Sequence, residues 1–256
     1  MELVLRDVTT AYGDSVALSN VSLSVSPGQI VAVVGPNGSG KSTLIKTIAT
    51  ILKARSGTIT IDGSDIYRID PLDLASRIGY VPQQYTYTLY STVFETVLLG
   101  RRPHIKWTVS EKELGHVQMA LEEVGMAGSA GRFMDQLSGG ERQKVFIARA
   151  LAQDPALYLF DEPTSALDIR HQLGVMETLR KITRERKASV VIAVHDLNLA
   201  FRYADTVMIL QNGLMAGWGS PKDILNPDCI RAVYGVEIRI VENEFGQFLL
   251  PIRQSV

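Results

Sequence analysis

The chain has 256 residues, 46% of them hydrophobic and 21% charged, an ordinary globular composition sufficient for one large domain or two small ones. A formal net charge of -1 sets up no global field for nucleic acid or anionic lipid, and a single cysteine, Cys229, excludes an intramolecular disulfide framework and fits a reducing compartment. No apolar run approaches the ~20 residues needed to cross a bilayer, and "MELVLRDVTT" lacks the pattern of a secretory signal, so the sequence reads as cytosolic unless a partner tethers it.

Residues 2–9 and 16–25 alternate apolar and polar and predict two strands of a partly exposed antiparallel edge. "IVAVV" (30–34) is continuously apolar and β-branched, as suits a strand buried on both faces. After "PNGSG" a helix is predicted from Lys41 to Leu52, with Leu44, Ile45, Ile48, Ile51 and Leu52 on one stripe. "SGTITIDG" (56–63) is another alternating strand, and "IGYVPQ" (78–83) a short apolar run. From about Thr86 to Gln153 the pattern turns helical: Ser110 and Glu113 form a predicted capping box, and Leu114, Val117, Leu121 and Val124 recur at helical spacing. Strands return at 156–160, 189–194 and 206–210, with helices between them. The expected fold class is α/β, a core interrupted by a helical insertion of about seventy residues and closed by a small strand-like tail after Pro227.

Gly35 to Ser42 matches G-x-x-x-x-G-K-[ST] and lies between a strand and a helix, the context this match requires. Gly35, Gly38 and Gly40 let the backbone of Gly35, Pro36, Asn37, Gly38, Ser39 and Gly40 curl until successive N–H groups point at an anion. Lys41 is placed to reach the β- and γ-phosphates, Ser42 to put its hydroxyl on Mg²⁺, and Thr43 follows on the helix. Phosphoryl transfer also needs a metal carboxylate and a group that positions water. "ALYLFDEPT" supplies both at the end of a buried strand, with Asp161 for the metal and Glu162 for the water. "LSGGE" (137–141) offers a second phosphate grip, with Ser138, Gly139 and Gly140 opening a helix read from Glu141 to Ala152.

Taken in order, these motifs resemble the ATP-binding cassette (ABC) ATPases over nearly the whole chain. The likeness adds Gln83 in "VPQQ", "RQKVFIARAL" after the signature, "SALD" ending in Asp168, His195 in "AVHD" and Tyr12 just before Gly13. It implies a P-loop NTPase (RecA-like) core with an antiparallel β edge subdomain and an inserted α-helical subdomain. By that likeness residues 1–256 form a single ABC ATPase domain, with 1–85 and 154–226 as core, 86–153 as helical subdomain and 227–256 as tail. It implies hydrolysis of ATP with Mg²⁺, Tyr12 stacking on adenine at about 1–3 kcal/mol, and His195 reaching the γ-phosphate and the water. Gln83 senses Mg²⁺ and the water and couples them to the helical segment. It also implies a head-to-tail homodimer, which explains two grips in one chain: the signature of one copy closes over the ATP held by the phosphate loop of the other. There the Gly139 and Gly140 amides, the positive helix end and Ser138 face a γ-phosphate. Glu141 replaces the commoner Gln, a mild change, because Ser138-x-x-Glu141 is a capping box in which Glu folds back on the Ser138 N–H as Gln does. His104, His116 and His171 have no such context and read as solvated or packed.

"STVFETVLLGRRPH" and the tail "VYGVEIRIVENEFGQFLLPI" resemble the importer ATPases of iron–siderophore, haem and cobalamin systems, although Arg101, Arg102 and His104 read equally as a solvated helix end. That resemblance implies two copies beneath integral-membrane permease subunits, peripheral at the cytoplasmic face. A short permease helix fits a groove between core and insertion, an external binding protein delivers the ligand, and no nucleic acid takes part. The alternative is a soluble cassette ATPase of iron–sulfur cluster assembly, against which "GRRPH" argues.

Overall fold

The computed structural model describes residues 1–83, 90–165, 167–244 and 246–254. The chain opens with β1 (Leu3–Tyr12) and β2 (Ser15–Val25), an antiparallel pair in which Tyr12 lies opposite Ser15. β3 (Ile30–Val34) leads into α1 (Lys41–Ile48), followed by β4 (Ser56–Ile61) and β5 (Ser64–Asp65). Among the described residues, β2-β1-β4-β5 form one antiparallel sheet, the edge expected from the alternating pattern.

Next come α2 (Pro71–Arg77) and β6 (Ile78–Val81), then α3 (Val93–Leu98), a 3-10 turn at Leu99–His104, α4 (Glu111–Glu123) and α5 (Gly139–Gln153). β7 (Leu157–Asp161), α6 (Ile169–Glu185), β8 (Ser189–Ala193), α7 (Leu197–Tyr203), β9 (Thr206–Gln211) and β10 (Leu214–Gly219) complete a second sheet, in the order β10-β9-β3-β8-β7-β6. All its pairings are parallel except that of β10 with β9.

The burial of β3 explains its unbroken apolar sequence. Val31 and Val33 face one core, with α1 and the antiparallel sheet; Ile30, Ala32 and Val34 face another, with α5, α6 and α7. Leu157 and Leu159 of β7 join the first core and Tyr158 and Phe160 the second. A strand with two apolar faces has no polar alternation left to show, and each Val, Leu or Ile side chain removed from water contributes about 1.5–3 kcal/mol.

Three sequence expectations change, and a fourth falls on residues that are not described. α1 ends at Ile48 rather than Leu52, because Ala49 caps it and Thr50 turns to φ +58°, leaving Ile51 more than half exposed. Ser110 caps α4, but its hydroxyl donates to the Glu113 carboxylate and takes no helix N–H, so the reciprocal box is not formed; Glu113 is drawn instead toward Arg101. The start of the helical segment near Thr86 lies outside the described residues. The strand-like tail after Pro227 begins as helix: past α8 (Pro221–Ile224), α9 (Pro227–Tyr234) has Asn226 as its N-cap and Pro227 in its first turn. β11 (Val236–Asn243) and β12 (Gly246–Gln254) then form an antiparallel hairpin, whose Leu249 enters the second core. Asn198 of α7 holds that hairpin with both arms of its amide, accepting from Leu249 N at 2.8 Å and donating to Leu249 O at 3.2 Å. No helix among the described residues is long and apolar enough to cross a membrane.

Candidate active site

Four parallel strands end at one cleft, at the carboxyl edge of the sheet where open α/β folds place their ligands. β3 delivers the phosphate loop, β6 leads to Gln83, β7 ends at Asp161 and Glu162, and β8 leads to His195. The cleft has a volume of about 670 Å³, and Asn37 to Thr43, Gln83, Glu162 and His195 all line it. Sequence reasoning had named every one of those residues; the structure brings them together.

The loop curls as its glycines permit, with positive φ at Gly35, Gly38 and Gly40, and Ser39 N donates to Pro36 O at 3.2 Å. Lys41, only 4% exposed, folds back over the loop and donates from Nζ to Gly35 O at 2.9 Å and Pro36 O at 3.1 Å. Its Nζ also lies 3.7 Å from Glu162 Oε1. Burial lowers the Lys41 pKa, and the Glu162 and Asp161 carboxylates oppose that.

Ser42 Oγ donates to Asp161 Oδ1 at 2.6 Å. Asp161 is almost wholly buried, which pushes its carboxyl above the usual range against the Ser42 hydrogen bond and the nearby lysines. Glu162 sits in left-handed backbone, φ +53°, a conformation that a non-glycine residue adopts at a cost of about 1–3 kcal/mol and that clusters at functional sites. Its N–H donates to Ala193 O of β8 at 3.2 Å, and its side chain turns into the cleft. There Gln83 Nε2 donates to Glu162 Oε2 at 2.5 Å, and His195 Nε2 lies 2.6 Å from the same oxygen. One buried carboxylate thus touches a cation, an amide and an imidazole.

The second grip is held apart. Ser138 caps α5: its hydroxyl accepts from Glu141 N at 3.3 Å, while Ser138 N donates to Glu141 Oε2 at 2.8 Å, the reciprocal box expected from the spacing. These bonds to Ser138, with Arg132 Nη1 at 3.1 Å, hold the Glu141 carboxyl below its ordinary pKa. The negative charge is therefore spent on its own helix cap. Ser138, Gly139, Gly140 and Glu141 line none of the cleft, and Ser138 and Gly139 are exposed. Asp168 is likewise outside it, capping α6 and accepting from His171 N at 2.9 Å. Tyr12 is half exposed at the end of β1, beside the Ser15–Ala17 stretch that forms one cleft wall.

Sequence reasoning missed another part of the cleft wall. Asn212 and Gly213, the turn between β9 and β10, line the cleft; Gly213 N donates to Ser39 O at 3.0 Å and Gly213 O accepts from Ser19 N at 2.9 Å. An Asn-Gly pair between apolar runs does signal a hairpin turn, but not where that turn packs. Arg101, read equally as a solvated residue, is 4% exposed.

The ABC transporter family pattern matches residues 18–165, more than half of the chain. The chain is 44% identical over 246 residues to an uncharacterized ABC transporter ATP-binding protein of Methanocaldococcus jannaschii, covering 96% of each. It is 34% identical over 253 residues to the petrobactin import ATP-binding protein FpuC of Bacillus anthracis, covering 98% of this chain and 93% of that one. Among solved structures, it resembles an inward-facing transporter assigned to the metal-chelate ABC type, with TM-score 0.84, 27% identity and coverage of 98% and 96%. A dimeric ATP-binding cassette bound to ADP and phosphate aligns with TM-score 0.78 and 31% identity, over 86% of this chain and 98% of that one. Likeness of this extent, in sequence and in fold, makes the chain a member of the ABC transporter family, whose ATP-binding subunits are ATPases coupled to transport.

Proposed function

We propose that the chain is the ATP-hydrolysing subunit of an importer for iron–siderophore, haem or cobalamin ligands, with Glu162 as the residue that polarises the attacking water. The observation that carries the chemistry is the convergence of Lys41, Gln83 and His195 on the buried Glu162 carboxylate. In this reading the loop amides and Lys41 bind the β- and γ-phosphates, and Lys41 exchanges its bonds to Gly35 O and Pro36 O for phosphate oxygens. Glu162 draws a proton from water, while His195 and Gln83 fix the carboxylate and the water in line. Tyr12 stacks on the base.

Mg²⁺ fits the residues present. The Ser42 hydroxyl and Asp161 carboxylate are hard oxygen donors 2.6 Å apart, and the Gln83 amide supplies a third. Held by Ser42, Asp161 and Gln83, the ion would supply positive charge to offset that of the phosphates.

Two copies pack head to tail, so that Ser138, Gly139 and Gly140 of one meet the γ-phosphate on the other, with Asp168 at the same interface. The exposure of the signature outside the cleft supports this arrangement, since a grip that its own site does not use is free for a second site. Residues 86–153 then serve as the moving helical subdomain on a core of 1–85 and 154–226, with 227–256 as tail. The permease docks at the cytoplasmic face on a groove of about 740 Å³ lined by Leu98, Leu99, Ile105, Arg102 and Trp107, of which Trp107 is 95% exposed. That groove is lined by residues of the helical segment alone, whereas the sequence reading set it between core and insertion.

The importer class rests on relatives such as the petrobactin import subunit, which disfavour an iron–sulfur assembly role. The test is to tag the chain in its own cell, solubilise membranes gently and identify what co-purifies. A stoichiometric polytopic permease, lost with Trp107→Glu, is the expected result; a soluble partner without permease contradicts the importer reading.

A further inference from the structure

The "GRRPH" stretch sits on the last carbonyls of α5. Arg101 Nη1 donates to Ala152 O at 2.6 Å and Gln153 O at 3.3 Å, and its Nη2 lies 3.8 Å from Glu113 Oε1. His104 Nε2 is 2.8 Å from Gln153 O; a carbonyl only accepts, so that nitrogen carries the proton. These are carbonyls that a helix end leaves without intrahelical partners. The chain passes so close here that a Cβ on Gly100 would stand 2.1 Å from Arg149 O.

Gln153, the last residue of α5, reaches the other way. Its Nε2 donates to Ala75 O at 2.5 Å and Ile78 O at 2.7 Å. Ala75 belongs to α2 and Ile78 is the first residue of β6, the strand that leads to Gln83 and its 2.5 Å bond to Glu162. One side-chain amide therefore fastens the end of the helix whose start carries Ser138 to the root of the strand that places Gln83. At 1.5 Å per residue, α5 holds Ser138 roughly 22 Å from this tie, so a small rotation about Gln153 is a large displacement at the signature.

We propose that Gln153 is a positioning residue for ATP hydrolysis: it sets the tilt of α5 and the place of Gln83 in the cleft together, so that the signature and Gln83 cannot adjust independently. The inference rests on the roles proposed above for Glu162 and Gln83. Arg101 and His104 hold the backbone of the same residue, so the tie is anchored on both sides.

A double-mutant cycle with the full chain tests it. Gln153→Met keeps the side-chain volume and removes both N–H donors. It is expected to lower kcat for ATP by about 5- to 10-fold with KM within about two-fold. In a Gln83→Ala background the same change is expected to alter kcat by less than about two-fold, because the residue it acts through is gone. Gln153→Arg, which restores donors, is expected to recover most of the loss. Equal losses in the two backgrounds, or an unchanged kcat for Gln153→Met, overturn the tie. Should Gln153→Met fail to fold, Gln153→Leu, which likewise lacks donors, runs the same cycle. Full turnover in Glu162→Gln overturns the reading of the cleft and this inference with it, whereas equal losses overturn the tie alone.

Discussion

Glu162 Oε2 lies 2.6 Å from His195 Nε2 and 2.5 Å from Gln83 Nε2, so a single carboxylate oxygen joins the ends of three strands of the parallel sheet. His195 and Gln83 are the exposed members of that set, with 44% of the His195 side chain exposed and only 6% of that of Glu162. An exposed imidazole beside a buried carboxylate suits a group that meets the γ-phosphate while Glu162 stays fixed. His195→Ala is therefore expected to reduce kcat by about 100-fold or more while ATP affinity stays within a few-fold. Steady-state kinetics with a parallel nucleotide titration checks this; equal losses in both quantities contradict it.

Asp161 gives a prediction in pH. Its carboxyl is raised above 3.8, chiefly by burial, so the folded chain binds that proton more tightly than the unfolded chain does. The fold is thus favoured at low pH and loses that advantage as pH rises through the folded pKa; at neutral pH the whole penalty is present. Asp161→Asn is expected to raise the Tm of the nucleotide-free chain at pH 7, by about 2–4 °C per kcal/mol relieved, while Mg²⁺-dependent ATPase is lost. Calorimetry at pH 4, 5 and 7 checks it, and a lower Tm at pH 7 contradicts it.

Lys41 and Tyr12 act on binding rather than on chemistry. Lys41→Ala is expected to weaken nucleotide affinity most for ATP and less for ADP, since the ammonium serves the β- and γ-phosphates. Tyr12→Ala is expected to weaken both alike, by about 5- to 100-fold. Isothermal titration separates the two patterns.

At the signature, the Ser138–Glu141 box is a cap that Gln can also close. Glu141→Gln is expected to leave ATPase within a small factor. Ser138→Ala removes the cap hydroxyl and costs about 1 kcal/mol of stability, and it also removes a donor proposed for the γ-phosphate, so its ATPase falls much further than its Tm. A large loss in Glu141→Gln instead assigns the carboxylate its own role.

Much of this site was legible because its chemistry is local in sequence. The phosphate loop needs closely spaced glycines, and Asp161 and Glu162 follow four buried residues, Leu157 to Phe160, whose two apolar faces admit no polar alternation. The illegible parts depend on long-range packing. Nothing local says that the Asn212–Gly213 turn closes the cleft against Ser39, or that Arg101 is buried on the carbonyls of Ala152 and Gln153. The Ser110 box had the right spacing, but the Ser110 hydroxyl donates to the Glu113 carboxylate instead of accepting a helix N–H, while the other Glu113 oxygen faces Arg101 at 3.8 Å. α9 was missed although Asn226 and Pro227 are helix-start residues, because the alternation of β11 and β12 dominates the tail.

The central claim is that Glu162 drives hydrolysis in a site completed by a second copy. The most direct measurement is analytical ultracentrifugation of Glu162→Gln with and without Mg²⁺-ATP, alongside its turnover. The account expects ATP binding near that of the unaltered chain, hydrolysis reduced about 100-fold or more, and a monomer of 28.1 kDa converting to a stable dimer only with ATP. Near-normal turnover, or a chain that fills with ATP and stays monomeric, contradicts it.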